Sequence, residues 1–193
     1  MAQIVMASFV PQKDHKFQTA RSRVISKQCA VLLFSVALAG PAAVTATERI
    51  QCPVTADNWV QTPPWVPHTR ESLNHGADKD LVVSGRNSYA LFSFDMSRAK
   101  GMRIEHATLR IHRKPDPVPL TVVGISTLSG SGPWTEGEMN YFLAKPGQPW
   151  SYKGSDLADV TFGPSGSLYT YVRARPVDED WYEIDVPQQS PRL

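Results

Sequence analysis

The chain has 193 residues, 41% of them hydrophobic, which is enough for one domain of ordinary size with appended segments. Its 20 basic and 18 acidic side chains are unevenly placed: residues 1–46 carry five of the basic residues against one acid, so the remainder holds 15 and 17, a net charge of about −2. No Lys/Arg cluster remains there of the kind that binds nucleic acid, and two cysteines, Cys29 and Cys52, make no disulfide framework.

Taken in chain order, the first signal is a leader. Arg21, Arg23 and Lys27 precede the apolar run CAVLLFSVALA over residues 29–39, and Gly40-Pro41 and the small residues around Val44-Thr45-Ala46 follow. A basic stretch, an apolar stretch of about 7–15 residues and a small-residue cleavage site predict a secretory signal over residues 1–46, with a helical apolar core and cleavage after Ala46. The run is shorter than the roughly 20 residues that span a bilayer. The protein is therefore expected outside the cell or on its surface, with no membrane span once the signal is gone. Loss of Cys29 with the signal leaves Cys52 without a partner in the chain.

Residues 47–53 read as a lead-in, and residues 54–193 as one β-module. Strands are predicted at Thr55–Val60, Lys79–Val83, Tyr89–Asp95, Met102–Arg113, Leu120–Ser126, Ala158–Phe162, Leu168–Arg173 and Trp181–Val186. The clearest are the third and fourth. Ala90, Phe92 and Phe94 fall on one face with Leu91, Ser93 and Asp95 on the other. Ala107, Leu109 and Ile111 then alternate with Thr108, Arg110 and His112 after a slip in the pattern at Glu105-His106. Turn chemistry separates the runs, as at Pro115-Asp116-Pro117, Pro146-Gly147 and Gly163-Pro164. Short strands at regular spacing with Gly/Pro turns predict an all-β fold, an antiparallel β-sandwich or barrel rather than alternating α/β units. The last predicted strand stands close to Leu193, and the module reads as cut short after it.

An ordered set of short motifs carries a resemblance. Leu91-Phe92-Ser93-Phe94-Asp95-Met96-Ser97, a Gly-containing turn and Ala107-Thr108-Leu109-Arg110-Ile111 resemble the signature of the DNRLRE domains, relatives of the carbohydrate-binding modules found with secreted polysaccharide lyases. Ala56-Asp57, Asn74-His75-Gly76 with Leu81-Val82-Val83, and Trp134-Thr135-Glu136 with Pro146 fall in that family's order, so the resemblance runs from about Val54 to Val186. Ser93-Phe94-Asp95-Met96 stands where the family usually has Arg-Phe-Asp-Leu, and His75 where it has an aromatic. A final strand pair after Val186 is also expected from the family. The resemblance implies a β-sandwich of jelly-roll type that binds or presents rather than catalyses.

Sugar recognition by such modules needs exposed aromatic faces beside polar groups. Trp59, Trp65, Trp150 and Tyr152 lie beside Pro, Gly or polar turns and are the predicted ligand-binding residues, whereas Trp134 and Trp181 read as core. Arg110, His112, Arg113 and Lys114 could meet an anionic polysaccharide or serve as solubilising charge. Asp57, Asp78 and Asp80 offer the oxygen ligands that calcium prefers, without a compact calcium-binding loop. No G-x-S-x-G elbow is present, and no other cofactor is indicated. The expected function is non-catalytic binding of a polysaccharide or cell-surface glycan. The alternatives are an adhesion module of a surface protein, or a piece of a polysaccharide lyase or hydrolase with a catalytic domain elsewhere in the full-length protein.

Overall fold

The computed structural model describes residues 2–9, 23–26, 31–37, 47–61, 73–84, 88–114, 119–128, 133–161 and 170–186. They form twelve β-strands and one short helix, so the all-β expectation holds. The strands are β1 (Ala2–Phe9), β2 (Arg23–Ser26), β3 (Val31–Ala37), β4 (Thr47–Gln61), β5 (Asp80–Val83), β6 (Ser88–Phe94), β7 (Ile104–His112), β8 (Val122–Thr127), β9 (Leu143–Lys145), β10 (Gln148–Pro149), β11 (Thr170–Pro176) and β12 (Trp181–Val186). The helix α1 spans Leu157–Thr161.

The main sheet is antiparallel and curls until its ends meet, in the order β1-β6-β4-β3-β7-β12-β11-β8, with β8 returning to β1. Two strands turn the corners. β4 pairs with β3 through residues 47–53 and with β6 through residues 54–61. β11 pairs with β8 through Thr170–Arg173 and with β12 through Ala174–Pro176. One wall is thus β3-β7-β12 and the other β8-β1-β6. Thr55 has no partner in β6, and this bulge marks the point where β4 passes between walls, as bulges at sheet corners do. The bulge also resets the alternation. Ile50, Cys52 and Val54 belong with the interior before it, and Trp59 after it, while Val60 turns outward.

Between the walls lies a core built from alternate residues of each strand. Phe92, Phe94, Leu109, Ile111, Val123, Tyr182 and Ile184 sit there, essentially without exposure. The slip in the β7 pattern is a second bulge: Ser35 pairs with His106 and Val36 with Ile104, so Glu105 is skipped. The Cys52 thiol is buried, and burial, followed by the nearby Asp95 charge, pushes its pKa up.

Several expectations change. The apolar run predicted as a signal helix forms β3 over Val31–Ala37, hydrogen-bonded on both sides. The lead-in at 47–53 is the first half of β4. Residues Leu91 and Ser93, expected on a half-exposed face, are both buried, Leu91 because the segment 133–161 packs on that side of β6. A second core of Leu91, Val60, Trp134, Met139, Trp150 and Leu157 lies there. The strand predicted at Ala158–Phe162 is α1 instead. Asp156 N–H donates to Asp159 Oδ2 at 3.1 Å and Asp159 N–H to Asp156 Oδ1 at 3.2 Å, a reciprocal capping box that starts a helix.

The Asn74-His75-Gly76 and Trp134-Thr135-Glu136 motifs interlock. Asn74 Nδ2 donates to the carbonyls of Glu136 and Met139, both at 2.7 Å, and Asn58 Nδ2 reaches Glu136 O at the same distance. Asn74 Oδ1 accepts the Gly76 N–H at 3.0 Å, which closes the turn. A Cβ on Gly76 would stand 2.2 Å from Glu136 O, so only glycine permits this approach. Gly76→Ala should therefore destabilise the protein by about 1–3 kcal/mol through overpacking. Phe92→Ala should cost about 3–5 kcal/mol. Denaturant titration checks both, and near-wild-type stability of G76A would contradict the interlock.

Candidate binding face

Trp59 lies beyond the β4 bulge, half-buried. Its ring stacks on His75 with centroids 3.7 Å apart and planes 20° from parallel. Its indole N–H donates to Asp78 Oδ2 at 3.0 Å, and His75 Nδ1 meets the same oxygen at 2.9 Å. Asp78 is therefore the acceptor that orients two stacked rings.

The other predicted ligand-binding residues separate. Trp150 is 0% exposed and its indole N–H is shared by the carbonyls of Asn140 and Tyr141, so it is a core residue of the segment over β6. The Gln148-Pro149 strand carries the ring inward, where a turn position had suggested exposure. Tyr152 is 50% exposed on the loop before α1. Its phenol pKa is raised by desolvation and then by its hydrogen bond to Asp159. Trp65 lies outside the described residues.

The three predicted calcium ligands do not converge. Asp57 is buried, Asp78 holds the Trp59–His75 pair and Asp80 pairs with the Lys114 ammonium. Among the described residues no three His, Cys, Asp or Glu side chains form a metal-binding group. The same contact accounts for Lys114. Arg113 is also committed: its Nε donates to Glu179 O at 2.6 Å, its Nη1 to the Tyr182 hydroxyl at 3.2 Å, and its guanidinium lies over the Tyr182 ring.

The densest set of unfilled chemistry lies on the outer face of β7, β12 and β11. Alternation sends Tyr182 and Ile184 inward, so Trp181, Glu183 and Asp185 face out. Register then sets Trp181 beside His112, Glu183 beside Arg110 and Arg175, and Asp185 beside Thr108. Arg110 sits 5.0 Å from the Trp181 ring centroid, and His112 meets that ring edge-on at 5.2 Å. A chain of ion pairs runs across the face: Arg110–Glu183, Arg175–Glu183 and Arg175–Asp185 at 3.5 Å each, and His106–Asp185 at 3.2 Å. At 3.5 Å the arginine contacts exceed good hydrogen-bond length, and Arg110 Nε and His112 Nδ1 make no hydrogen bond among the described residues.

The face thus offers one aromatic ring and two guanidiniums whose donors are loosely held. Trp181, read as core from its strand context, is its centre. The signal that could have placed it was the pairing of Trp181 with Tyr182: on a strand, one of two adjacent aromatics must face out. Exposed pairs of this kind contribute little to stability, so Arg175→Ala should change the unfolding free energy by less than about 1 kcal/mol. Removing the shared acceptor with Asp78→Ala, although its side chain is 49% exposed, should cost about 1 kcal/mol and should shift Trp59 fluorescence. Thermal unfolding with emission spectra reads both, and an unchanged spectrum in D78A would contradict the Trp59 geometry.

Among the described residues no helix is long and apolar enough to cross a membrane. Comparison with known proteins returns no match to a family model, to a curated protein or to a solved structure.

Proposed function

We propose that the protein is a secreted, non-catalytic carbohydrate-binding module of the DNRLRE type, with the β-sandwich of jelly-roll kind that this resemblance implies, and that it takes an acidic polysaccharide on the outer face of β7, β12 and β11. The observation that carries the reading is Trp181 held between Arg110 and His112 on that face. A pyranose presents an apolar face that stacks on an indole ring, and a uronate carboxylate beside it accepts the paired N–H donors of a guanidinium. Arg110 lies against the ring and Arg175 one strand further on, so a sugar on Trp181 has cations within the reach of its neighbours along a chain. Glu183 and Asp185 keep the guanidiniums in place when no ligand is bound. The ordered motifs between Val54 and Val186 support the same class of module.

Affinity electrophoresis of the full chain through gels containing polygalacturonate, alginate or neutral glucans tests this. Retardation is expected on the acidic polymers, and it should weaken as salt screens the charges. Trp181→Ala and the pair Arg110→Ala/Arg175→Ala should each weaken binding about tenfold or more, the equivalent of about 1.4 kcal/mol. No retardation on any glycan, or binding untouched by Trp181→Ala with the fold intact, would overturn the proposal and favour an adhesion role.

A further inference from the structure

The outward row of β11 continues the binding face past its aromatic centre. Ala174 belongs to the core and Val172 packs against it, so Tyr171, Arg173 and Arg175 point to the outside. All three are exposed, Tyr171 to 57%. β11 turns the corner of the sheet, and the row turns with it. Arg175 stands beside Glu183 of β12, whereas Arg173 lies opposite Val122 and Tyr171 opposite Gly124 of β8. Gly124 has no side chain to cover the Tyr171 ring.

Spacing along the row is fixed by the strand. Val177 N–H donates to Trp181 O at 3.0 Å, so Trp181 sits level with Val177 at the far end of the row from Tyr171. At about 3.3 Å per residue the two aromatic positions stand roughly 20 Å apart, with Arg175 and Arg173 between them. A single sugar ring cannot reach from Trp181 to Tyr171, but a run of several can. The chemistry along the row matches such a run. An aromatic platform at each end suits the apolar face of a pyranose, and the guanidiniums between them suit carboxylates. Arg175 is shared between Glu183 and Asp185 at 3.5 Å each, and Arg173 enters no ion pair among the described residues.

The Tyr171 end of the row has a border. The segment over β6 reaches β8 at Ser126, the next outward position after Gly124, where the Ser126 hydroxyl donates to Thr161 O at 3.3 Å. Tyr89 packs with that segment, and its phenol pKa is raised by burial first and then by Tyr171. Tyr171 therefore stands where the open face meets the covered one.

Resting on the reading of this face as a site for acidic polysaccharide, we infer that Tyr171 and Arg173 form a second subsite, so that the protein takes a run of several consecutive acidic sugars along β11 rather than a single uronate on Trp181. One sugar stacks on Trp181 and a later one on Tyr171, with carboxylates of the units between them on Arg175 and Arg173. Two weak contacts on one strand act together, because binding at the first raises the effective concentration at the second.

Isothermal titration of the full chain with oligogalacturonates tests this, using a trisaccharide too short to touch both aromatics and an octasaccharide that spans them. The octasaccharide should bind at least about tenfold more tightly than the trisaccharide. Tyr171→Ala/Arg173→Ala should remove that gain and leave trisaccharide affinity unchanged, whereas Trp181→Ala should weaken both ligands. Arg98→Ala is the charge control. Arg98 lies in the single turn Ser97–Ala99 that packs on β4, across the closed sheet from β11, and its loss should leave the gain in place. Tyr171 and Arg173 are exposed, so the pair should not shift the thermal transition; if it does, Arg173→Gln alone is read in the same way. A gain that survives these substitutions, or that Arg98→Ala removes equally, would overturn the second subsite. So would equal affinity for the two oligomers. In each case Trp181→Ala still weakening both ligands would leave the proposed function standing. Binding of neither oligomer would overturn that function and the inference with it.

Discussion

A sheet has two edges, and each edge is a row of backbone donors and acceptors that must be paired, hydrated or covered. In this protein the main sheet solves the problem by closing on itself, and closure depends on strands from the first 37 residues. β3 ties β4 to β7, and β1 ties β6 to β8. Both lie between strands that run parallel to each other, so neither gap can heal by a small shift. The remaining strands supply most of the described interior, to which β3 adds Leu32.

Closure also decides where a ligand can be met. The corner strands β4 and β11 divide the curled sheet into two walls, and among the described residues a further segment covers only one of them. The segment 133–161 lies over β6, where Leu91 and Trp150 join a second core and the Asn74, Gly76 and Glu136 contacts lock the segment down. The wall of β7 and β12 keeps its outer side open, with Trp181, Arg110 and Arg175 on it. β6 is accordingly apolar on both faces, while β7 and β12 alternate between core residues and charge. The pattern of side chains along each strand records which wall it belongs to.

What could be read in the sequence follows the same division. β12 was legible to the residue, and the slip at Glu105-His106 in β7 is a real bulge, because alternation survives wherever one face is wet. It failed where tertiary cover intervenes. Leu91 read as outward-facing since nothing local announces that residues 133–161 will pack on it. Trp150 read as a loop aromatic for the same reason, and Trp181 as core because an indole in a strand usually is. The strand predicted at Ala158–Phe162 rests on Val160 and Thr161, whereas the reciprocal Asp156–Asp159 backbone contacts that start α1 are a detail the alternation does not show. For residues 31–37 the apolar run carries no period that separates helix from strand, and the basic residues before it favoured a leader. Only pairing with β4 and β7 distinguishes the two.

Closure of the sheet through β3 is tested most directly by native-state hydrogen exchange of the full chain, resolved to single amides. If residues 31–37 complete the sheet, their paired amides exchange in the slowest class, together with those of Phe92 in β6 and Leu109 in β7, and they open only with global unfolding. Exchange of residues 31–37 at the rate of an unstructured peptide, with β6 and β7 still protected, would contradict it.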